Sequence, residues 1–284
     1  MLAPTLLLAR SAVRLRTCAI PNRRQFTATS SSGIIAKALV YSQYGRPTEV
    51  LRLHSHPLPV LTPSTIHLRF LAAPINPADV NQIEGAYPIK PPFRMDQVNS
   101  EVPVAVGGNE GVAEVIAVGD EVSDVKVGDW VVTARSGFGT WRTHAVATPA
   151  EVEVIPREGL SLVQAATITV NSCTAYRMLK DFVNLGEGDF VIQNAANSSV
   201  GQVVIEIAKV LGIKTINIVR NRPNIAELTA RLTAIGATHV LTDDELGKVT
   251  TKEKIKEWTG GEPILLGLNC VGGRDATELA RYLG

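Results

Sequence analysis

The sequence has few cysteines, and their spacing does not suggest a structural site. Cys18, Cys173 and Cys270 lie far apart, without a C-x-x-C pair or a Cys/His cluster beside them. A disulfide framework or a zinc knuckle would require such residues in closely spaced groups. The cysteines therefore favour neither kind of site, and we read Cys173 as a buried small apolar residue.

Long apolar runs and an excess of charge of one sign are also missing. No stretch of ~18 apolar residues is present, so we expect no transmembrane helix and no membrane association. The net charge of +1 argues against a nucleic-acid-binding protein. With 284 residues, of which 45% are hydrophobic and 19% charged, the composition is that of a globular protein of about two domains.

Acidic residues are absent from the N-terminal segment, and the first one is Glu49. The segment is instead rich in Ser, Thr and Arg, a pattern typical of mitochondrial transit peptides. We therefore predict a transit peptide over residues 1–32 and a location in the mitochondrial matrix. A disordered basic tail is the alternative. A secretory signal is less favoured, because the apolar run Leu6–Ala9 is short. The arginines concerned are Arg10, Arg14, Arg16, Arg23 and Arg24.

Residues 33–160 are predicted to form a β-rich domain. Short alternating or β-branched segments end at Pro or Gly, and the turns include Gly119-Asp120 and Gly128-Asp129. We expect a partly open barrel. The predicted strands are Ala36–Tyr41, Val50–His56, Thr65–Ala72, Gly111–Val118, Trp130–Ala134, Trp141–Val146 and Val152–Ile155.

Residues 161–284 change to alternating helices and strands, a pattern that predicts a parallel, doubly wound α/β sheet. A dinucleotide-binding sheet has about six strands in the order 3-2-1-4-5-6, and this sequence supplies four. We therefore expect a truncated chain, or a sheet that something else completes. The predicted helices are Ser161–Thr167, Cys173–Phe182, Gly201–Leu211, Asn224–Ile235 and one that begins near Arg274. The predicted strands are Phe190–Gln193, Thr215–Val219, His239–Leu241 and Ile264–Cys270.

The segment Phe190–Gln202 is predicted to be a strand, a turn of small residues and a helix start. Small residues let the backbone approach a pyrophosphate, and a helix N-terminus supplies free N–H groups. Where G-x-G-x-x-G has its glycines, this chain has Ala196, Ser198 and Gly201. Because only the third glycine remains, a plain βα turn in a flavodoxin-like domain is the alternative.

The end of the second predicted strand indicates which dinucleotide would bind. An NAD enzyme needs an acidic residue there for the ribose 2′-hydroxyl, whereas arginine accommodates the 2′-phosphate of NADP. Here the strand runs into Arg220, Asn221 and Arg222. The sequence therefore favours NADPH, with a solvated basic loop as the alternative.

Six segments carry recognisable motifs: Asn76–Pro88, Gly107–Gly111, Val127–Val131, Val170–Leu179, Gln193–Gly201 and Val219–Pro223. Together they resemble the motifs of medium-chain dehydrogenases/reductases, and among these the mitochondrial enoyl thioester reductases in particular. Zinc-dependent members would carry a histidine where Asn109 stands and a cysteine near Asn76–Asp79, and this chain has neither. We therefore expect no bound metal.

The resemblance implies a fold and a set of site residues. The fold would be a GroES-like domain followed by a Rossmann sheet, and the family's chain continues well past Gly284. Tyr87 would be the proton donor, and Asn171 would contact the cofactor. The phosphate-binding residues implied by the resemblance are Asn197, Ser198, Ser199, Val200 and Gly201 for the pyrophosphate, and Arg220, Asn221 and Arg222 for the 2′-phosphate. Ser199 replaces a glycine frequent in relatives.

The resemblance also implies NADPH-dependent reduction of trans-2-enoyl thioesters in mitochondrial fatty acid synthesis. Hydride added to the β-carbon leaves an enolate, and a neutral phenol such as that of Tyr87 can donate to its oxygen. Out of context, Tyr87 would be a half-buried core aromatic. The acyl carrier would be CoA or acyl carrier protein, and the full-length protein would be a homodimer. Lys90 and Arg94 are candidate contacts for the carrier, with ordinary surface charge as the default interpretation.

Two other functions stay open. A zinc-free NADPH quinone oxidoreductase of the same superfamily would share the cofactor residues. A non-catalytic NADPH-binding or interaction module would use the unpaired sheet edge for partner pairing. The histidines form no spaced pair and are read as structural; they are His54, His56, His67, His144 and His239.

Overall fold

The computed structural model describes residues 33–284, so the predicted transit peptide lies outside the described residues. The elements of the first part are β1 (Ile35–Tyr41), α1 (Pro47–Val50), β2 (Arg52–Pro57), β3 (Ile66–Ala72), α2 (Pro77–Ile83), β4 (Ala105–Val106), β5 (Val112–Val118), β6 (Trp130–Thr133), β7 (His144–Ala147) and β8 (Val152–Ile155). The elements of the second part are α3 (Leu162–Thr167), α4 (Cys173–Lys180), β9 (Phe190–Gln193), α5 (Ser199–Val210), β10 (Lys214–Val219), α6 (Ile225–Ile235), β11 (His239–Thr242), α7 (Val249–Thr259), β12 (Leu266–Leu268) and α8 (Gly273–Ala280).

The first part is built from antiparallel sheets of three and five strands, in the orders β2-β1-β4 and β7-β3-β5-β6-β8. Strand β1 alternates, with Ala36, Ala38 and Val40 buried. The residues before β7 join the two sheets, because Thr143 N donates to Lys37 O at 2.8 Å. This arrangement confirms the predicted partly open barrel.

The second part is a parallel sheet of four strands in the order β11-β10-β9-β12. Counted along the chain, this order is 3-2-1-4, the order of a dinucleotide-binding sheet. Strand β9 is buried throughout, and α5 turns Val204, Ile205 and Ala208 towards the sheet. Apolar clusters cover both faces, as parallel sheets require. The predicted α/β fold is confirmed.

Some element boundaries differ from the sequence prediction. Val50, predicted to begin a strand, ends the short helix α1, which has Pro47 in its first turn. The strand predicted over Ile264–Cys270 is confined to Leu266–Leu268. Helices α2 and α7 were missed, since Asn76–Pro88 was read as a motif and α7 presents a polar surface. In the described part of the chain, no helix is long and apolar enough to cross a membrane.

A π-helical turn over Ile168–Ser172 separates α3 from α4. Single π turns inside helices occur frequently at functional sites, because they leave backbone groups without their usual helical partners. This turn carries Asn171, one of the predicted site residues. The fold therefore places an irregular backbone at the point where the β-rich part of the chain gives way to the parallel sheet.

Candidate cofactor and reaction site

Helix α2 fixes the start of the segment that carries Tyr87. Asn76 is its N-cap residue, and Pro77 at the first helical position supplies a suitable backbone angle. The carboxylate of Asp79, which is 1% exposed, accepts a hydrogen bond from Asn76 N at 2.7 Å. Its other oxygen accepts one from Asn109 Nδ2, also at 2.7 Å. The buried carboxylate thus joins the helix start to the turn before β5.

A second set of hydrogen bonds closes the loop around Tyr87. Gln82 Nε2 donates to the carbonyl oxygen of Ile89 at 3.0 Å, and Tyr87 N donates to Asn81 O at 3.1 Å. Gln82 Oε1 in turn accepts from Asn109 Nδ2 at 2.8 Å. Tyr87 is therefore held by bonds on both sides of it in the sequence.

The side chain of Tyr87 is half-buried. Within residues 33–284 its hydroxyl forms no hydrogen bond to another group of the chain, so it is free to engage a ligand. Gly85 shapes the loop just before it. Its φ is +77°, and a Cβ there would lie 2.9 Å from the ring of Tyr44, so the position requires glycine.

Asn109 occupies the position where a zinc-dependent relative would have a histidine. It is buried, and its Oδ1 accepts from Gly137 N at 2.8 Å while its amide nitrogen donates to Asp79 and Gln82. Asn109 thus links α2 to a glycine-containing loop. Among residues 33–284, no three His, Cys, Asp or Glu side chains are grouped to hold a metal ion.

Asn171 lies at the junction of the β-rich part and the parallel sheet. Its Nδ2 donates to Asn76 Oδ1 at 3.2 Å. The backbone N–H of Val170 and the hydroxyl of Thr169 both donate to the buried carboxylate of Glu110, at 2.9 and 3.1 Å. The junction therefore connects Asn171 directly to the first residue of the segment that carries Tyr87. The importance of Glu110 was missed, because only the contacts across the junction reveal it.

The predicted pyrophosphate turn follows β9 and opens α5. Ser198 is the N-cap residue, and its hydroxyl oxygen accepts from Gly201 N at 3.2 Å. The next residue, Ser199, is exposed and begins the helix, whose first N–H groups lack helical partners. A Cβ at Gly201 would lie 2.7 Å from Ala196 Cα and O, so the backbone is packed too closely for a side chain there.

The turn backbone is unusual at Ala195, whose φ of +49° is uncommon for a residue other than glycine. Ala195 lines a cavity beside this turn, whereas Ala196 is fully buried. Val200 follows in the first turn of α5 and is half-buried. The turn and the helix start together form the kind of N–H-rich surface that anions prefer.

Two predicted cofactor arginines line a cavity beside this turn. The cavity has a volume of about 120 Å³ and includes Asn197, Arg220 and Arg222. Arg222 Nε donates to the carbonyl oxygen of Arg220 at 3.2 Å. In the described part of the chain, neither arginine forms an ion pair with a carboxylate. Both guanidinium groups thus keep their charge available for an anion.

The structure does not bring every predicted residue into the cavity. Asn221 turns to the acidic residues after β11: its N–H donates to Asp243 at 2.9 Å and its Nδ2 to Asp244 at 2.6 Å. Three polar lining residues were not among the predicted site residues, namely Asn194, Asp243 and Asp275. Asp243 follows a strand at the carboxyl edge of the sheet, where such a fold binds its ligand, so its position was a usable signal.

The remaining candidate residues have structural surroundings. All five histidines lie on strands, and burial lowers the pKa of His56, His67 and His239. The prediction that Cys173 is buried was wrong: it is exposed at the start of α4, where it lines a cavity with Asn109, Thr169 and Val170.

The two candidate carrier contacts are also engaged. Arg94 Nε donates to the Asp96 carboxylate at 2.9 Å, and Lys90 Nζ lies 5.2 Å from the centre of the Tyr44 ring. The charge of Arg94 is therefore partly neutralised within its own loop, whereas that of Lys90 has an aromatic partner and no carboxylate partner in the described residues.

Comparisons with known proteins agree with this arrangement. Residues 62–157 match the alcohol dehydrogenase GroES-like domain. The mitochondrial enoyl-(acyl-carrier-protein) reductase of Schizosaccharomyces pombe is 45% identical over 92% of this chain and 70% of its own length. The corresponding rat enzyme is 50% identical over 87% of this chain and 62% of its own length. The chain thus spans about two thirds of these relatives.

Solved structures give the same result. The complex of Etr1p with NADP and crotonyl-CoA matches with a TM-score of 0.86 at 40% identity, over 88% of this chain and 73% of that one. The mitochondrial 2-enoyl thioester reductase Etr1p/Etr2p heterodimer from Candida tropicalis matches with a TM-score of 0.85 at 41% identity, over the same shares. A quinone oxidoreductase from Pseudomonas syringae is more distant, with a TM-score of 0.70 at 26% identity, over 88% and 70%. The chain belongs to the mitochondrial enoyl-(acyl-carrier-protein) reductases, within the medium-chain dehydrogenases/reductases.

Proposed function

We propose that this chain carries out the NADPH-dependent reduction of trans-2-enoyl thioesters to saturated acyl thioesters. The observation that carries the proposal is the junction at which Asn171 is hydrogen-bonded to Asn76, 3.2 Å away. It connects the start of the nucleotide-binding fold with the segment that holds a half-buried tyrosine whose hydroxyl is free in the described structure. We further propose that residues 33–160 and 161–284 act as substrate and cofactor domains.

The residues of the second part suit a dinucleotide with a 2′-phosphate. The pyrophosphate would be held at the start of α5 by Ser198, Ser199, Val200 and Gly201. There the helix backbone packs closely on the preceding turn, and the first N–H groups of the helix lack helical partners. Arg220 and Arg222 would hold the 2′-phosphate, since both line the cavity beside Asn197 without a carboxylate partner among residues 33–284. Asn221 would support the loop through Asp243 and Asp244 rather than touch the phosphate.

NADPH, when bound, supplies a hydride to the β-carbon of the thioester. Tyr87 then acts on the enolate that results: its phenol donates a hydrogen bond to the developing charge and delivers the proton required at the α-carbon. Gln82 and Asn81 keep the tyrosine in place through their bonds to Ile89 and to the Tyr87 backbone. Fixed donors of this kind lower the barrier because they need no reorganisation during the reaction.

The quinone oxidoreductase alternative receives less support, because the chain is more similar to enoyl thioester reductases than to the quinone oxidoreductase, at 40% against 26% identity. By analogy with relatives named as mitochondrial and with the Etr1p/Etr2p heterodimer, we propose a mitochondrial matrix location and a dimer. Acyl carrier protein is proposed as the physiological carrier on the relatives' names alone.

The test follows NADPH oxidation by the chain with trans-2-hexenoyl-CoA, beside a quinone substrate and a control without substrate. Thioester-dependent oxidation with little quinone-dependent oxidation is expected. Oxidation with the quinone alone would support the quinone oxidoreductase instead. A folded chain that binds NADPH and oxidises it with neither substrate would contradict the proposal and favour the non-catalytic module.

A further inference from the structure

Glu110 is a buried carboxylate that the proposed reaction does not use directly. It is 1% exposed and lies just before β5. Its Oε1 accepts from Asn76 Nδ2 at 2.7 Å, and its Oε2 accepts from Val170 N and from the hydroxyl of Thr169. Among residues 33–284 it has no ion-pair partner, so its charge is balanced by donors that belong to both parts of the fold.

The hydrogen bonds to Glu110 determine the orientation of two side-chain amides, first that of Asn76 and then that of Asn171. A carboxylate can only accept hydrogen bonds, so Asn76 must turn its amide nitrogen towards Glu110. The carbonyl oxygen of Asn76 then faces Asn171, and Asn171 must donate its own amide nitrogen to it, as observed at 3.2 Å. The Oδ1 of Asn171 is thereby left as an acceptor, and within the described residues no group of the chain donates to it.

We infer that Glu110 is a positioning residue that sets the polarity of the Glu110–Asn76–Asn171 relay and so presents Asn171 Oδ1 to the cofactor. The inference deepens the proposed function and rests on it, since it requires Asn171 to contact NADPH. The chemical group that fits a free amide oxygen is an N–H donor, and the primary carboxamide of nicotinamide supplies one. The relay thus selects the orientation in which that carboxamide is bound.

A Glu110→Gln substitution reverses the relay without changing its shape. The new amide keeps its oxygen towards the N–H of Val170, so its NH2 group faces Asn76. Asn76 must then present its oxygen to position 110 and its nitrogen to Asn171. Asn171 then accepts this hydrogen bond with its Oδ1, and its NH2 group is left facing the cofactor. The NH2 group of Asn171 and the N–H of the nicotinamide carboxamide would then face one another as two donors, in place of the proposed hydrogen bond.

The relay also offers a rescue that a purely structural role would not. In the double variant Glu110→Gln/Asn76→Asp, the carboxylate at position 76 accepts both from the new amide at 110 and from Asn171. Asn171 then donates its amide nitrogen to residue 76 and leaves its Oδ1 facing the cofactor, as in the parent. In Asn76→Asp alone, the new carboxylate faces Glu110 across a distance of 2.7 Å in the parent, and the like charges should weaken the junction most of all.

The experiment measures the dissociation constant of NADPH by fluorescence titration and the turnover of trans-2-hexenoyl-CoA, with circular dichroism to monitor folding. Glu110→Gln should weaken NADPH binding at least tenfold. The double variant should return to within about threefold of the parent, and Asn76→Asp should be weaker than both. If Glu110→Gln does not fold, Asn171→Ala, which removes the acceptor and leaves Glu110 intact, should show the same loss of NADPH affinity.

The outcomes separate this inference from the proposed function. Parental NADPH affinity in Glu110→Gln, full affinity in Asn171→Ala, or a folded double variant without recovery would overturn the relay, even if the parent chain reduces the thioester. A parent chain that binds no NADPH would overturn the proposed function and this inference with it. A parent that binds NADPH without turnover, with the predicted order among the variants, would support the relay and contradict the reductase proposal.

Discussion

Gln82 and Ile89 enclose Tyr87 in a short loop, because Gln82 Nε2 donates to the carbonyl oxygen of Ile89 at 3.0 Å. Gln82 is buried, so this bond is protected from competition with water. The loop begins at the end of α2 and passes through Gly85, whose positive φ turns the chain. The position of the Tyr87 side chain is therefore fixed by the hydrogen bond between Gln82 and Ile89, which lie before and after it in the sequence, rather than by any contact of its hydroxyl.

Replacing Tyr87 with Phe removes only the hydroxyl and keeps the ring in its half-buried position. Turnover of trans-2-hexenoyl-CoA should fall by about 10²- to 10⁴-fold, the range for loss of a general acid. NADPH affinity should remain close to that of the parent chain, because the predicted phosphate contacts lie at the start of α5 and in the loop after β10. Stopped-flow turnover and NADPH titration measure the two effects separately.

Tyr44→Phe is the matched control for that substitution. Tyr44 packs against Gly85 and lies 5.3 Å from the Phe93 ring, so it belongs to the same part of the structure without being a predicted proton donor. It should keep near-parental turnover. Full turnover in Tyr87→Phe would refute the proton-donor role, whereas an equal loss in both variants would indicate a general effect of the loop.

The fold was largely predictable from the sequence, for physical reasons that particular segments illustrate. Residues Phe190–Ile192 of β9 are apolar and buried on both sides, and their short length after Gly188 favours a strand over a helix. Helix α5 repeats its apolar residues at helical spacing. Helix α2 was harder to predict. Its buried positions include Asp79 and Gln82, polar residues that become buried only because Asn109 and the loop backbone satisfy them.

The position of Arg220 at the cavity was predictable, because this residue stands directly after the end of its own strand. The candidate site was not predictable where two distant segments meet. Asn76 and Asn171 are 95 positions apart, and only the packing of α2 against the π turn brings their amides together. Glu110 is a further case, since its role depends on donors from both segments. The direction of the hydrogen bonds between two distant segments produces no periodic pattern in the sequence, so it cannot be predicted from such a pattern.

Arg222→Ala should weaken binding of NADPH by about ten- to one hundredfold, the effect of losing a charge-assisted hydrogen bond. Binding of NADH should change little, because NADH has no 2′-phosphate. The NADPH effect should also shrink as the salt concentration rises, since Arg222 is only half-buried. Titrations with both nucleotides at two salt concentrations give the comparison, and Arg231→Ala, an exposed arginine on α6, is the control.

An equal loss of NADPH and NADH affinity in Arg222→Ala would contradict the assignment to the 2′-phosphate and favour a general effect on the loop. The same experiment on Arg220→Ala tests the second arginine independently. Because the two guanidinium groups share one cavity, their effects on NADPH binding are not expected to be additive.

Gly201→Ala should destabilise the chain and impair the phosphate turn at once. The new methyl group would lie 2.7 Å from Ala196 Cα and O and 2.8 Å from Ala195 O, and all of these atoms belong to the turn backbone. Overpacking of this kind costs about 1–3 kcal/mol in the free energy of unfolding. Urea unfolding and NADPH titration should therefore both show a loss.

Gly186→Ala is the matched control, because a Cβ there meets only Asp189 Oδ2 at an ordinary 3.6 Å. It should be neutral or stabilising by up to about 1 kcal/mol, since alanine restricts the unfolded chain more than glycine does. If Gly201→Ala matched this control in both measurements, the close approach of α5 to the turn would not be what position 201 requires.

His239 should make the stability of the parallel sheet depend on pH. Its ring stacks on Trp258 with 3.9 Å between ring centres, and burial, with the nearby charge of Lys214, lowers its pKa. Because the folded state holds this proton less readily than the unfolded state, stability is retained above the unfolded pKa of about 6.5 and is lost as the pH falls through the lower folded value. His239→Phe keeps the stacking and removes the titration, so its melting temperature should fall less between pH 7.5 and pH 5 than that of the parent. Lys214→Gln should reduce the dependence in part. An unchanged slope in His239→Phe would contradict this role of His239 and direct attention to His56, His67 and His144, whose pKa values burial also lowers.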